Sequence, residues 1–144
     1  MTNISPAITL FLALAKTETI LNNRFDRILG GIGFNEFRIL YYINQAENQK
    51  MRRVDLAEKI GLTASGVTRL LLPMEKIGLI KSGEAAEDAR VRSVTISNSG
   101  KQKRLEALER LELFAEENLA EIKNEELEKI SKFLMNLGGK TLMN

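Results

Sequence analysis

Cysteine and histidine are both absent from the 144 residues. Disulfides are therefore impossible, thiol redox sensing is excluded, and no thiolate or imidazole can hold a metal. The same absences remove the Ser-His-Asp and Cys-His nucleophile systems and the usual zinc centres. No glycine-rich phosphate loop of either standard form occurs. Glu116-Glu117 and Glu125-Glu126 are adjacent pairs, which face different directions on a helix and make no carboxylate dyad. The chain thus reads as no enzyme, with no cofactor and no metal expected. Long apolar runs are missing too. Residues 8–15 are too short to span a bilayer, and residues 1–7 lack the Lys and Arg of a secretory signal, so a cytoplasmic protein is expected.

What is present suits one compact core with helical extensions. The apolar share, 44%, is ordinary for a globular protein and too high for a disordered one. Net charge is only +2, but it is unevenly placed. Residues 50–104 hold 12 Lys and Arg against 6 Asp and Glu, while the remainder holds 9 against 13. A phosphate-binding surface needs that localisation more than it needs a high overall charge.

The basic excess falls on the most informative stretch, residues 53–97. Val54, Leu56, Ala57 and Ile60 gather near one face of a short helix that Gly61 can end in a left-handed conformation. Thr63 suits the N-cap of the next helix. There Val67, Leu70, Leu71 and Met74 form the buried stripe, and Ser65, Thr68 and Arg69 lie opposite. The wet face is small, hydrogen-bonding and cationic, as a helix entering a DNA major groove must be if its backbone is to approach base edges. Pro73 falls inside this helix, so a kink or a redirected last turn toward Gly78 is expected. Beyond it, residues 80–83 and 90–97 read as the arms of a β-hairpin, Arg92, Val94 and Ile96 alternating with Val91, Ser93 and Thr95.

Ala57 and Gly61, set among Leu56, Ile60, Leu62, Val67 and Leu70, resemble the helix-turn-helix packing pattern. The continuation MEKIGLI at residues 74–80, then Asp88-Ala89-Arg90, then VTISNSG at residues 94–100, resembles the MarR-type winged helix-turn-helix transcription regulators. The resemblance is specific over residues 32–100 and architectural in the flanks. It implies a mainly α fold with a small β-hairpin wing, a DNA-binding domain at residues 33–100, and a dimerisation region of N- and C-terminal helices at residues 1–32 and 101–144. It also implies that Asp88 orients Arg90 toward the minor groove or a phosphate, with Arg92 on the same wing. Two departures weaken that wing: Ala89 stands where a second Arg is common, and Glu84 and Glu87 bring negative charge. Thr63, Ser65, Thr68 and Arg69 are the expected recognition-helix contacts, and Arg53 and Lys101 the expected phosphate contacts.

The flanks are helical by pattern. Ser5-Pro6 opens a helix of about 24 residues, some 36 Å long, which ends at Gly30-Gly31. Gly33 to about Gln45 is the next, with Phe37, Leu40 and Tyr41 inward. Gly33 replaces the family's usual Ser or Thr cap, and Glu36 is placed to reach back to the first free N–H. Residues 46–50 read as a polar connection. Ser97 should cap a long helix reaching about Ile122, and Asn124 a last one that Gly138-Gly139 ends. These helices carry more apolar surface than one small core can hide, and burial across a two-fold axis is the simplest solution.

Taken together, the expectation is a homodimeric, sequence-specific double-stranded DNA-binding regulator, more a repressor than an activator, on a pseudo-palindromic operator. Family resemblance adds a small aromatic or anionic effector; Phe25, Phe37, Tyr41 and Tyr42 could line its cavity or could be plain core. A winged helix serving as a protein-interaction module without DNA stays open as the alternative.

Overall fold

Local signals in the sequence set most of the helix ends. In the computed structural model, which describes residues 3–84 and 89–142, helix α1 spans Pro6–Ile28. Ser5 caps it, its hydroxyl accepting the Ile8 N–H at 3.4 Å, with Pro6 at the first helical position, where its missing N–H costs nothing. Gly30 and Gly31 then take φ of 74° and 102°, a turn glycine makes without strain. Helix α2, Phe34–Gln45, starts from Gly33, which has no side chain to cap it. Asp26 supplies the cap instead: its Oδ1 accepts the Phe34 N–H at 2.7 Å. The Glu36 carboxylate bonds the Gly33 backbone, which is the reach-back expected of a capping box.

Residues 46–50 hold more structure than a polar connection. A 3-10 turn at Glu47–Gln49 contains Asn48 and Gln49 with φ of 57° and 53°, and it leads into strand β1, Lys50–Arg52. Helices α3, Arg53–Ile60, and α4, Ala64–Lys76, follow. Strand β2 is Ile80–Ser82 and strand β3 is Ser93–Ile96, with a 3-10 turn at Ala89–Val91 before β3. The hairpin is therefore part of a three-stranded antiparallel sheet ordered β1-β3-β2. Met51 faces Val94 across one pair, and Ile80 faces Ile96 across the other. Three residues are too few for the exposed, half-buried, exposed alternation of Lys50, Met51 and Arg52 to be read as a strand, and the partner lies far along the chain.

Helix α4 continues through the exposed Pro73 and closes at Gly78, whose φ is 79°. The Leu79 N–H bonds the Met74 carbonyl and the Gly78 N–H the Glu75 carbonyl, which satisfies the last free carbonyls of the helix. Leu29, Ile39, Leu40, Ile43, Leu56, Val67, Leu71, Met74 and Val94 are fully buried, and they join the end of α1 to α2, α3, α4 and the sheet. Each such side chain contributes about 1.5–3 kcal/mol relative to exposure.

Helix α5, Asn98–Leu119, begins under the same core. The Ser97 hydroxyl accepts the Gly100 N–H at 3.0 Å and donates to the Leu79 carbonyl at 2.9 Å. Lys103 and Arg110 of α5 donate to the Gly30 and Ile28 carbonyls at 3.0 and 3.1 Å, placing cations on the negative end of α1.

The chain forms two compact units, Met1–Arg110 and Leu111–Asn144. In the first, the leading half of α1 leaves Ile8, Phe11 and Leu12 exposed. In the second, helix α6, Asn124–Leu142, leaves Ile130, Phe133, Leu134 and Met135 exposed. Gly138-Gly139 does not end α6, contrary to expectation. Neither glycine takes the positive φ by which a glycine commonly closes a helix. No helix among the described residues is long and apolar enough to cross a membrane.

Candidate nucleic-acid interface

The turn between α3 and α4 is built from the residues the sequence offered for it. Gly61 ends α3 with φ of 72°, and the Leu62 N–H returns to the Ala57 carbonyl at 3.1 Å. Thr63 Oγ1 accepts the Gly66 N–H at 3.0 Å and lies 3.2 Å from Ser65 Oγ. A Cβ at position 66 would sit 3.2 Å from that cap oxygen, so glycine keeps the cap unobstructed. Val67, Leu71 and Met74 are buried, which leaves the other side of α4 to solvent. Thr63, Ser65 and Arg69 are exposed there and Thr68 is half-buried.

Between α4 and the turn before β3 lies a cleft of about 420 Å³. It is lined by Arg53, Ala64, Ser65, Thr68, Arg69, Ala89 and Arg90. Three guanidiniums and two hydroxyls meet there, with no carboxylate among the described lining residues, a composition that favours an anion with hydrogen-bond acceptors. Ala64 and Ala89 complete the lining with small apolar side chains.

Of the expected contacts, the cleft unites Arg53, Ser65, Thr68, Arg69 and Arg90. Arg90 stands exposed on the 3-10 turn, while Asp88 lies outside the described residues. Arg92 is half-buried, and its Nε donates to the Gly83 carbonyl at 3.0 Å, a brace across the base of the wing. Lys101 sits on the first turn of α5, outside the cleft lining.

Arg53 is placed differently from a surface phosphate contact. It is 6% exposed, and its guanidinium forms the inner wall of the cleft. Nη1 donates to Thr68 Oγ1 and Nη2 to Ser82 Oγ, both at 3.3 Å. Ser82 in turn donates its hydroxyl to Glu75 Oε2 at 3.0 Å and its N–H to Glu75 Oε1 at 3.2 Å. Burial, then the nearby Arg92, push the Arg53 guanidinium below its ordinary value, and Glu75 pulls it back. Ser82 and Glu75 carried no signal in the sequence, because their link to Arg53 joins positions far apart along the chain.

Five rings form a row. Phe25–Phe34, Phe34–Phe37, Phe37–Tyr41 and Tyr41–Tyr42 have centroid separations of 4.7, 6.1, 6.0 and 5.4 Å, within the range of favourable aromatic pairs. A cavity of about 330 Å³ beside the row is lined by Asn22, Asp26, Gly33, Phe34, Asn35, Glu36 and Leu70. Another, of about 260 Å³, includes Tyr42 and Lys59. Burial raises the Glu36 carboxyl above its ordinary value and Asp26 adds to the rise, against the lowering effect of the Gly33 backbone bond.

Residues 34–91 match the family model of the MarR family. The chain is 26% identical over 97 residues to the HTH-type transcriptional repressor YetL of Bacillus subtilis (strain 168), covering 66% of this chain and 58% of that protein. It spans about half the length of the curated relatives it matches. Among solved structures, the transcriptional regulator BldR from Sulfolobus solfataricus superposes with a TM-score of 0.78 at 28% identity, over 94% of this chain and 99% of that one. The MarR family regulator Sco3205 from Streptomyces coelicolor, solved in complex with DNA, superposes at 0.77 and 15% identity, over 95% and 89%.

Proposed function

In a chain that carries a MarR-type winged helix-turn-helix over residues 34–91, we propose that α4 enters the major groove of double-stranded DNA and that the protein regulates transcription. One observation carries this reading: the cleft brings the guanidiniums of Arg53, Arg69 and Arg90 together with the hydroxyls of Ser65 and Thr68 on the outer side of α4. Ser65, Thr68 and Arg69 face base edges or the adjacent phosphates. Thr63 stands where the first N–H groups of α4 favour a phosphate. Arg90 contacts the backbone or the minor groove beside it, with Asp88 as its orienting carboxylate. Arg92 holds the wing and adds positive charge, as Lys101 does at the start of α5. Arg53 lends charge from within the cleft wall.

The protein acts as a homodimer on a pseudo-palindrome, with recognition helices about one helical turn (~34 Å) apart. Residues 1–32 and 101–144 supply the dimer surface in this reading. The uncovered apolar residues of α1 and, separately, of α6 support it, since such surface is rarely left to water. Repression is the sense of control, in line with the relative named as a repressor. A small effector releases the DNA. The carboxylates of Asp26 and Glu36 in the cavity beside Phe34 favour an aromatic, neutral effector over an anionic one.

Binding to random and enriched duplexes across a salt series tests the reading. A steep negative dependence of log affinity on log salt is expected, close to one counterion per phosphate neutralised, together with enrichment of one sequence. Affinity independent of salt, or a monomer by sedimentation, would sink it. The first outcome would also favour a protein-interaction module.

A further inference from the structure

We infer that Arg53 fixes the hydrogen-bond polarity of Thr68, so that the recognition helix presents this hydroxyl to DNA as a donor. The inference rests on the DNA-binding reading and goes further, because it names what the position reads. A threonine hydroxyl ordinarily both donates and accepts and so discriminates weakly between base edges. Guanidinium only donates. At 3.3 Å from Arg53 Nη1, Thr68 Oγ1 is therefore the acceptor, and its own hydrogen must point elsewhere.

The usual place for that hydrogen in a helix is the carbonyl four residues back. Thr9 and Thr19 of α1 bond in that way, to the Ser5 and Ala15 carbonyls at 3.3 and 3.2 Å. Thr68 makes no such bond among the described residues; Arg53 is its partner. Its hydrogen is left to the cleft, beside Ser65, Arg69 and Arg90. The other arm of Arg53 is fixed in the same sense. Ser82 gives its hydrogen to Glu75 and accepts from Nη2, so polarity runs from Arg53 outward through both hydroxyls. Burial of Arg53 holds the arrangement: its Nε is already buried without a partner among the described residues, so loss of either Nη acceptor would leave a further donor unsatisfied.

A donor at Thr68 selects an acceptor on the major-groove edge: guanine N7 or O6, adenine N7 or thymine O4. It disfavours the amino groups of cytosine and adenine, for which only the second lone pair of the hydroxyl is left beside the Arg53 bond. Arg53 is thus a positioning residue that sets specificity without touching a base.

The test is selection from random duplexes by the full chain and by its T68V, R53M and R53M/T68V variants, with melting to check each fold. T68V should lose preference at one base position by about threefold to tenfold, the effect of one neutral hydrogen bond. For the parent, removing the acceptor there (7-deazapurine for N7, 2-aminopurine for guanine O6) should cost the same factor, and for T68V nothing. R53M should lose the same preference, and the double variant no more than either single one. Equal preference in parent and T68V, a parent sensitive to loss of an amino group at that position, or additive losses in the double variant each overturn the assignment while leaving DNA binding intact. A parent that enriches no sequence overturns both together. If R53M fails to fold, the T68V and base-analogue arms decide the matter alone.

Discussion

Two alanine substitutions for glycine should act in opposite directions, although both lie in long helices. Helix propensity alone favours alanine over glycine by about 1 kcal/mol at either site. At Gly138 nothing lies within 4 Å of the added Cβ, and φ is not positive. Gly138→Ala should therefore stabilise by about 0.5–1 kcal/mol. At Gly100 the added Cβ would collide with the Leu79 carbonyl and lie 2.8 Å from Ile96 Cγ1. Backbone cannot step aside as the end of a flexible side chain can, so overpacking costs about 1–3 kcal/mol and outweighs the propensity gain. The expected net is a loss of about 1–2 kcal/mol for Gly100→Ala. Urea unfolding at one fixed protein concentration measures both, because association would otherwise shift apparent stability. The midpoints should separate on either side of the parent with an unchanged slope. A stabilised Gly100→Ala would mean that the start of α5 does not press on Leu79. A destabilised Gly138→Ala would mean that Gly138 does turn the chain out of α6.

The remaining expectations concern the cleft and one half-buried carboxyl. Arg69→Ala should weaken binding to the preferred duplex by about 1–3 kcal/mol if Arg69 reads a base; unchanged affinity in a titration removes it from the interface. Arg90→Ala should lower affinity on all duplexes and reduce the salt slope by about one unit, whereas an identical slope would mean that the wing does not reach phosphate. Glu36 has its folded value raised above 4.5 by burial first. Its favourable contribution is thus fully present below that pH and lost as pH rises through the folded value. Glu36→Gln cannot ionise, so its melting temperature should gain on the parent's between about pH 4 and pH 7. A constant difference across that range refutes the assignment.

The fold was legible wherever the controlling interaction is local. Ser5, Gly61, Thr63 and Gly78 each act within a few residues of themselves, as does Ser97 in capping α5, and each lies at the helix end its chemistry suits. Strand β1 was not legible, because Lys50, Met51 and Arg52 are held by Thr95, Val94 and Ser93 and nothing within three residues reports such a pairing. The same division runs through the site. Ser65, Thr68 and Arg69 could be placed together because one helix turn spaces them, and they share the cleft. Arg53 looked like a surface cation by residue type. What made it a wall of the cleft is its closure against Thr68 and Ser82, two groups that only the folded chain brings to it. Residue type and helical period thus identify which side chains can meet a ligand, and the long-range hydrogen bonds decide with what polarity they meet it. For that reason the most discriminating measurements on this protein are those on Arg53 and Thr68 taken as a pair, where the separate substitutions and the double one should not add.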